Sequence, residues 1–162
     1  MTTTPKQTAS QRIVARAIIL GPKGCLVQHK HREERGDYYG LPGGAKEDFE
    51  TLIEALQRET REEMGCSVLN AALVGVVDYR HREAPGTICD RVECLFTAEL
   101  PEGYQPANGP KPDRNQRDII WLSLDAIDDV QFSPPYIGDA IRALVNSKQS
   151  FLGYLGAYAD PS

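Results

Sequence analysis

Between Gly44 and Gly65 the chain carries Leu52, Ile53, Leu56 and Met64 at helical spacing, and three glutamates stand among them where an ordinary amphipathic helix would place none. On a wheel turning about 100° per residue the four apolar side chains share one side, and Glu59 and Glu63 project into or beside the same arc. Glu62 lies one step further round, so the trio at i, i+3 and i+4 forms a single patch. Glu54, Arg58 and Arg61 fall on the solvent side, as expected of a helix with one buried stripe. A surface helix laced by pairs such as Glu54 with Arg58 accounts for that outer face. It does not account for like charges beside a buried stripe, which repel one another and are costly to desolvate. A positive partner is required, and a hard divalent cation meets the requirement: Mg²⁺, or Mn²⁺ in its place, takes carboxylate oxygens and keeps waters and phosphates as its other ligands.

The rest of the chain reads as alternating strands and helices. Arg12 to Leu20 has the pattern of a buried strand, Gly21-Pro22-Lys23-Gly24 that of a turn, and Cys25 to Lys30 that of the hairpin partner. His31 to Asp37 reads as a polar loop feeding Tyr38-Tyr39-Gly40-Leu41-Pro42-Gly43-Gly44. A helix is predicted from Thr51 to Met64, stopped by Gly65. Ala71 to Tyr79 and Arg91 to Leu100 read as strands, followed by an irregular Pro- and Gly-rich stretch, Pro101 to Pro112. Asp118 to Leu122 forms a short strand, and Leu124 to Val130 a short helix. Ser133-Pro134 signals the start of a second packed helix through Ile137, Ala140, Ile141, Leu144 and Val145. This order predicts an α/β fold, an α/β/α sandwich with a mixed sheet, in one domain over 11–158 behind a loose tail at 1–10.

At 162 residues, 41% hydrophobic and 25% charged, the chain suits a single domain with a real core. Its net charge of −5 argues against a nucleic-acid polymer as partner, and no apolar run reaches membrane-spanning length, so a cytoplasmic protein is expected. Cys25, Cys66, Cys89 and Cys94 form no C-x-x-C pair and read as free thiols. His29, His31 and His81 have no metal-ligand spacing, and each reads as a loop or surface residue.

Gly44, Glu50, Arg58, Glu59, Glu62, Glu63 and Gly65 fill every fixed position of the pattern G-x5-E-x7-R-E-U-x-E-E-x-G-U, and in this the segment resembles the Nudix hydrolases. Thr60 stands where an aliphatic residue is usual, Cys66 is a small member of the apolar class, and Phe49 replaces a common glycine. The likeness extends over roughly 11–146, and implies the same α/β/α sandwich. It further implies a Mg²⁺-dependent hydrolase acting on the pyrophosphate linkage of a nucleoside diphosphate joined to another moiety. Such substrates include nucleoside triphosphates, ADP-ribose and nucleotide sugars.

In that reading Glu59, Glu62 and Glu63 are the catalytic metal ligands, joined by the backbone carbonyl of Gly44. Arg58 and Glu50 pin the loop to the helix through a bidentate pair. Arg16 is expected to reach a substrate phosphate, with Arg12 on the same strand face as its alternate, and Tyr39 or Tyr38 to stack on a base. Glu62, Glu93, Asp113 and Asp118 are all candidates for the general base. Selectivity is assigned to the loops His31 to Asp37, Glu83 to Cys89 and Pro101 to Pro112. The expected partner is a small nucleotide, and a homodimer is allowed. The alternatives are a nucleotide-binding or sensing module without turnover, and a scaffold that kept only the fold.

Overall fold

The computed structural model describes residues 8–161. The chain order is β1 (Thr8–Ile18), β2 (Leu20–Gly21), β3 (Gly24–Arg32), β4 (Gly36–Gly40), β5 (Gly43–Ala45), α1 (Leu52–Met64), β6 (Leu69–Ala84), β7 (Thr87–Glu99) and β8 (Gln116–Leu122). A 3₁₀ turn (Leu124–Asp129), α2 (Ile137–Asn146) and β9 (Gly153–Ala159) complete it. One sheet runs β5-β1-β7-β6-β9, with β1 parallel to β7, β6 parallel to β9 and the other pairs antiparallel. In the second sheet β2, β4 and β8 all pair antiparallel with β3.

Strand alternation feeds two cores from one backbone. Ala15 and Ala17 of β1 and Leu26 of β3 pack with Leu56 and Met64 of α1. Ile18, Cys25 and Val27 join Val77, Leu95 and the α2 residues Ile137, Ala140 and Ile141. The predicted α/β/α sandwich with a mixed sheet is thus observed, with an antiparallel second sheet beside the mixed one, and its two helices serve opposite faces. No helix among the described residues is long and apolar enough to cross a membrane. All four cysteines are free, and three are buried.

The signature helix starts where its capping chemistry dictates. Thr51 accepts from the Glu54 backbone N–H and Glu54 reaches back to the Thr51 N–H, while Gly65 adopts the left-handed conformation at the other end. Its buried arc is rotated from the predicted one: Ala55, Leu56, Thr60, Glu63 and Met64 are buried, whereas Ile53 is 42% exposed. Thr60 is tolerated inside because its hydroxyl donates to Gln57 O and accepts from Val68 N. Arg58, expected in solvent, is half-buried among carboxylates.

Several boundaries differ from expectation. β1 begins at Thr8, paired with Thr87, so 8–10 belong to the sheet, and 1–7 lie outside the described residues. The stretch Glu83 to Cys89 is the tip of the β6–β7 hairpin, turning at Pro85–Gly86. Its polar composition conceals strands because Arg80 pairs with Asp90 directly across the ladder. β4, β5 and β9 were not foreseen, being short and rich in glycine. Asp160 fastens the end of β9 to β6 by accepting from Tyr79 Oη, the Arg82 N–H and the His81 ring. The second helix begins at Ile137, three residues beyond Pro134.

Phe49 holds a left-handed φ of 63° with its side chain fully in solvent. That conformation costs a non-glycine residue about 1–2 kcal/mol, and the fully exposed ring buries no apolar surface to offset it. Phe49→Gly is therefore expected to raise stability by roughly 0.5–1 kcal/mol, the strain less the added chain entropy of glycine. A higher urea midpoint at unchanged slope is the check.

Candidate active site

The carboxylates of α1 meet the β5 backbone. Gly43 (φ 137°) pairs with Arg16, and a Cβ on it would strike Ala15 O at 2.1 Å. Gly44 must also lack a side chain, because a Cβ there would lie 2.5–2.7 Å from the carboxylate of Glu59. The Gly-Gly pair thus lets the strand pass close beneath Glu59 and Glu63.

Arg58 organises the outer carboxylates. Its Nε and Nη2 donate to the two oxygens of Glu50, Nη2 also to Ala45 O at 3.1 Å, and Nη1 to Glu59 Oε1 at 2.9 Å and Glu62 Oε2 at 3.5 Å. The bidentate pair expected between Arg58 and Glu50 is present, and the hydrogen bond from Arg58 holds the Glu50 carboxyl below its usual range. Glu63 points inward instead and is 1% exposed. Its Oε2 accepts from Gly43 N at 3.1 Å and from Gln28 Nε2 at 2.7 Å, while Oε1 is buried with no hydrogen-bond partner among the described residues. Burial, then the charge of Asp113 and that of Glu59, push its carboxyl well above the ordinary range against the Gly43 hydrogen bond.

These residues fit a divalent cation in kind. The donors are hard oxygens, the Glu63 Oε1 is bare, and the Gly44 cradle keeps the Glu59 carboxylate against the backbone. Among the described residues no three acidic, His or Cys side chains converge as a ready cage. Arg58 draws Glu59 and Glu62 to itself while Gly43 and Gln28 hold Glu63.

The remaining sequence-predicted residues separate into groups. Arg16 is only 8% exposed, and its Nε donates to both oxygens of Glu93 at 2.9 and 3.0 Å. Nη1 reaches Leu41 O at 3.5 Å. Glu93, fully buried, also accepts from Tyr136 Oη at 2.7 Å. Burial works against the Arg16 charge, but Glu93, Tyr136 and Glu63 together more than offset it and raise the guanidinium pKa. Asp113 pairs with Lys30 at 2.8 Å and lies 3.3 Å from Gln28 Nε2, beside Glu63. Asp118 contacts His29 at 3.1 Å. Tyr39 stacks on His29 with centroids 5.2 Å apart, in register on the face of β3–β4 opposite Gln28, so it does not join the carboxylates. Tyr38 is buried, with Arg35 over its ring. Arg12 is exposed.

Gln28 was missed from sequence, and Gln116 stood only as one of the polar residues of the late loop, without its contact to the helix. The available signal was a glutamine breaking the apolar run Cys25–Val27, at a position that alternation turns inward. A recess of about 860 Å³ among Ile13, Asp78, Arg80, Val92 and Ala157 contains none of the signature residues.

The chain belongs to the Nudix family: the NUDIX domain model matches residues 10–140. Among similar curated proteins, a human 8-oxo-dGDP phosphatase is 55% identical over 40 residues, covering 25% of this chain and 12% of that protein. A Mycobacterium tuberculosis protein provisionally assigned as 8-oxo-dGTP diphosphatase 3 is 27% identical over 126 residues, 72% of this chain and 52% of the relative. The chain therefore spans about half or less of these relatives' length. Solved structures share the fold. The MutT protein of Bacillus halodurans superposes with a TM-score of 0.67 at 21% identity, covering 90% of this chain and 89% of its own. A MutT NUDIX hydrolase from Burkholderia pseudomallei gives 0.57 at 28% identity, covering 72% and 85%.

Proposed function

We propose that this chain is a nucleotide pyrophosphohydrolase that cleaves the phosphoric anhydride of a nucleoside diphosphate joined to a further group, with Mg²⁺ or Mn²⁺ as cofactor. The observation that carries the proposal is the bare, buried Oε1 of Glu63 beside Glu59 and the Gly43–Gly44 backbone. Glu59, Glu62, Glu63 and the Gly44 carbonyl would hold the ion. A bound divalent ion supplies charge neutralisation at the phosphates and a more acidic water. Arg58 and Glu50 act as positioning residues, fixing the loop to the helix. Both oxygens of Glu93 are engaged by Arg16 and one also by Tyr136, and Asp118 lies beside His29 on the strand face opposite Gln28, which favours Glu62 and Asp113 as general base. Arg16 remains proposed for the substrate through Nη2, which bonds no protein atom among the described residues.

The names of the relatives make oxidised guanine nucleotides the first substrates to test, ahead of ADP-ribose and nucleotide sugars. The test is incubation of a nucleotide panel with Mg²⁺, resolving the released phosphate species, beside equilibrium binding of the same panel. Hydrolysis of at least one member between two phosphorus atoms is expected. Binding without turnover would instead assign a sensing module, and neither would leave only the fold.

A further inference from the structure

Gln28 is fully buried in β3, yet it carries an amide into the apolar layer beneath α1. Its Nε2 donates to Glu63 Oε2 at 2.7 Å and Gln116 Oε1 at 2.9 Å, with Asp113 Oδ2 at 3.3 Å. Gln116, also buried, donates in turn to the Glu63 backbone carbonyl and to Asn108 Oδ1, both at 2.9 Å. One amide therefore grips the Glu63 side chain, and the second grips both that amide and the helix backbone behind it. Gln28 does this at a cost to itself, since its own Oε1 is buried without a partner.

The donors reaching Glu63 Oε2, from Gln28 and the Gly43 backbone, are both neutral. A lysine or arginine there would orient the carboxylate equally well but would cancel its charge, as Arg58 does for Glu50. A neutral clamp fixes the geometry without placing a positive charge of the protein against the carboxyl group. It also leaves Oε1 without a hydrogen-bond partner among the described residues. From this geometry we infer that Gln28, held by Gln116, is a positioning residue that presents Glu63 Oε1 to a divalent cation with no cationic side chain competing for it. The inference rests on the proposed reading of Glu63 as a cation ligand. Outer partners of ligating carboxylates commonly govern metal affinity by about 10–100-fold.

The experiment is Mn²⁺ titration of the metal-free protein, followed by the electron paramagnetic resonance of the free ion, with the thermal midpoint of each preparation measured alongside. Wild type is expected to bind, Gln28→Met to bind about 10–100-fold more weakly while folded, and Gln116→Leu to lose several-fold less. Full wild-type affinity in Gln28→Met would overturn this inference alone. So would a loss that the unfolded fraction of that variant explains entirely. Absence of Mn²⁺ binding by wild type would overturn the cation reading and this inference with it. If Gln28→Met does not fold, Gln116→Leu decides by the same measurement: weakened binding supports the clamp and unchanged binding removes it.

Discussion

Glu63→Gln is expected to lower kcat by about 10²–10³-fold on any nucleotide this chain hydrolyses, the range seen when one preorganised electrostatic contact to a transition state is deleted. The same change is expected to stabilise the metal-free protein at neutral pH. Burial first, then the charges of Asp113 and Glu59, raise the Glu63 pKa above its ordinary value of 4.5. The folded state therefore holds this proton more tightly than the unfolded state does. Its contribution to stability is complete below pH 4.5 and is lost as pH rises through the folded pKa. Glutamine does not titrate and keeps an oxygen for Gln28 and Gly43. The stability difference should consequently be small in acid and open in favour of the variant as pH increases. Thermal midpoints from pH 4 to 8 without metal, with kcat from the same preparations, test both halves. Near-wild-type turnover would remove Glu63 from the proposed metal ligands, and a stability difference independent of pH would remove the buried charge as its cause.

What sequence reveals of this site follows from how locally each part is determined. Glu59, Glu62 and Glu63 are fixed relative to one another by helical spacing, and the Thr51 and Gly65 caps set the ends of that helix from neighbouring residues alone. The Arg58–Glu50 pair spans a short loop and was equally legible. Gln28 and Gln116 acquire meaning only when β8 pairs with β3 and brings both under the last turn of α1. Their partners lie 35 and 53 positions away in the chain, beyond any periodic pattern.

The fold shows the same division. The core strands declare themselves by apolar runs, whereas β4, β5 and β9 are short, contain glycine and are held by what they pair with. The outer half of the β6–β7 hairpin was hidden by charge, because Arg80 and Asp90 satisfy each other across the ladder and need no apolar face. The buried partner of Arg16 was hidden for a related reason. A guanidinium on an inward strand position can meet a ligand or a buried acid, and only the parallel pairing of β1 with β7 puts Glu93 within its reach.

Glu93→Gln should then be among the most destabilising conservative changes in the molecule. Removing one charge of a buried ion pair leaves the other uncompensated, at a cost of about 3–5 kcal/mol, and Arg16 with Glu93 is such a pair at 8% and 0% exposure. Tyr136 Oη donates to the same carboxylate, so Tyr136→Phe should cost less, about 1 kcal/mol, the net worth of one hydrogen bond. Replacing both charges together, Arg16→Met with Glu93→Leu, should recover much of the loss because neither partner is left uncompensated. Urea unfolding of the single and double variants gives the coupling energy directly. Additive losses would mean that the two side chains do not act as a pair. Arg16→Lys separates the remaining role: it keeps the charge but loses the planar fork. If Nη2 meets a substrate phosphate, KM for a hydrolysed nucleotide should rise by more than kcat falls in the folded protein. An unchanged KM, with stability alone reduced, would confine Arg16 to holding Glu93.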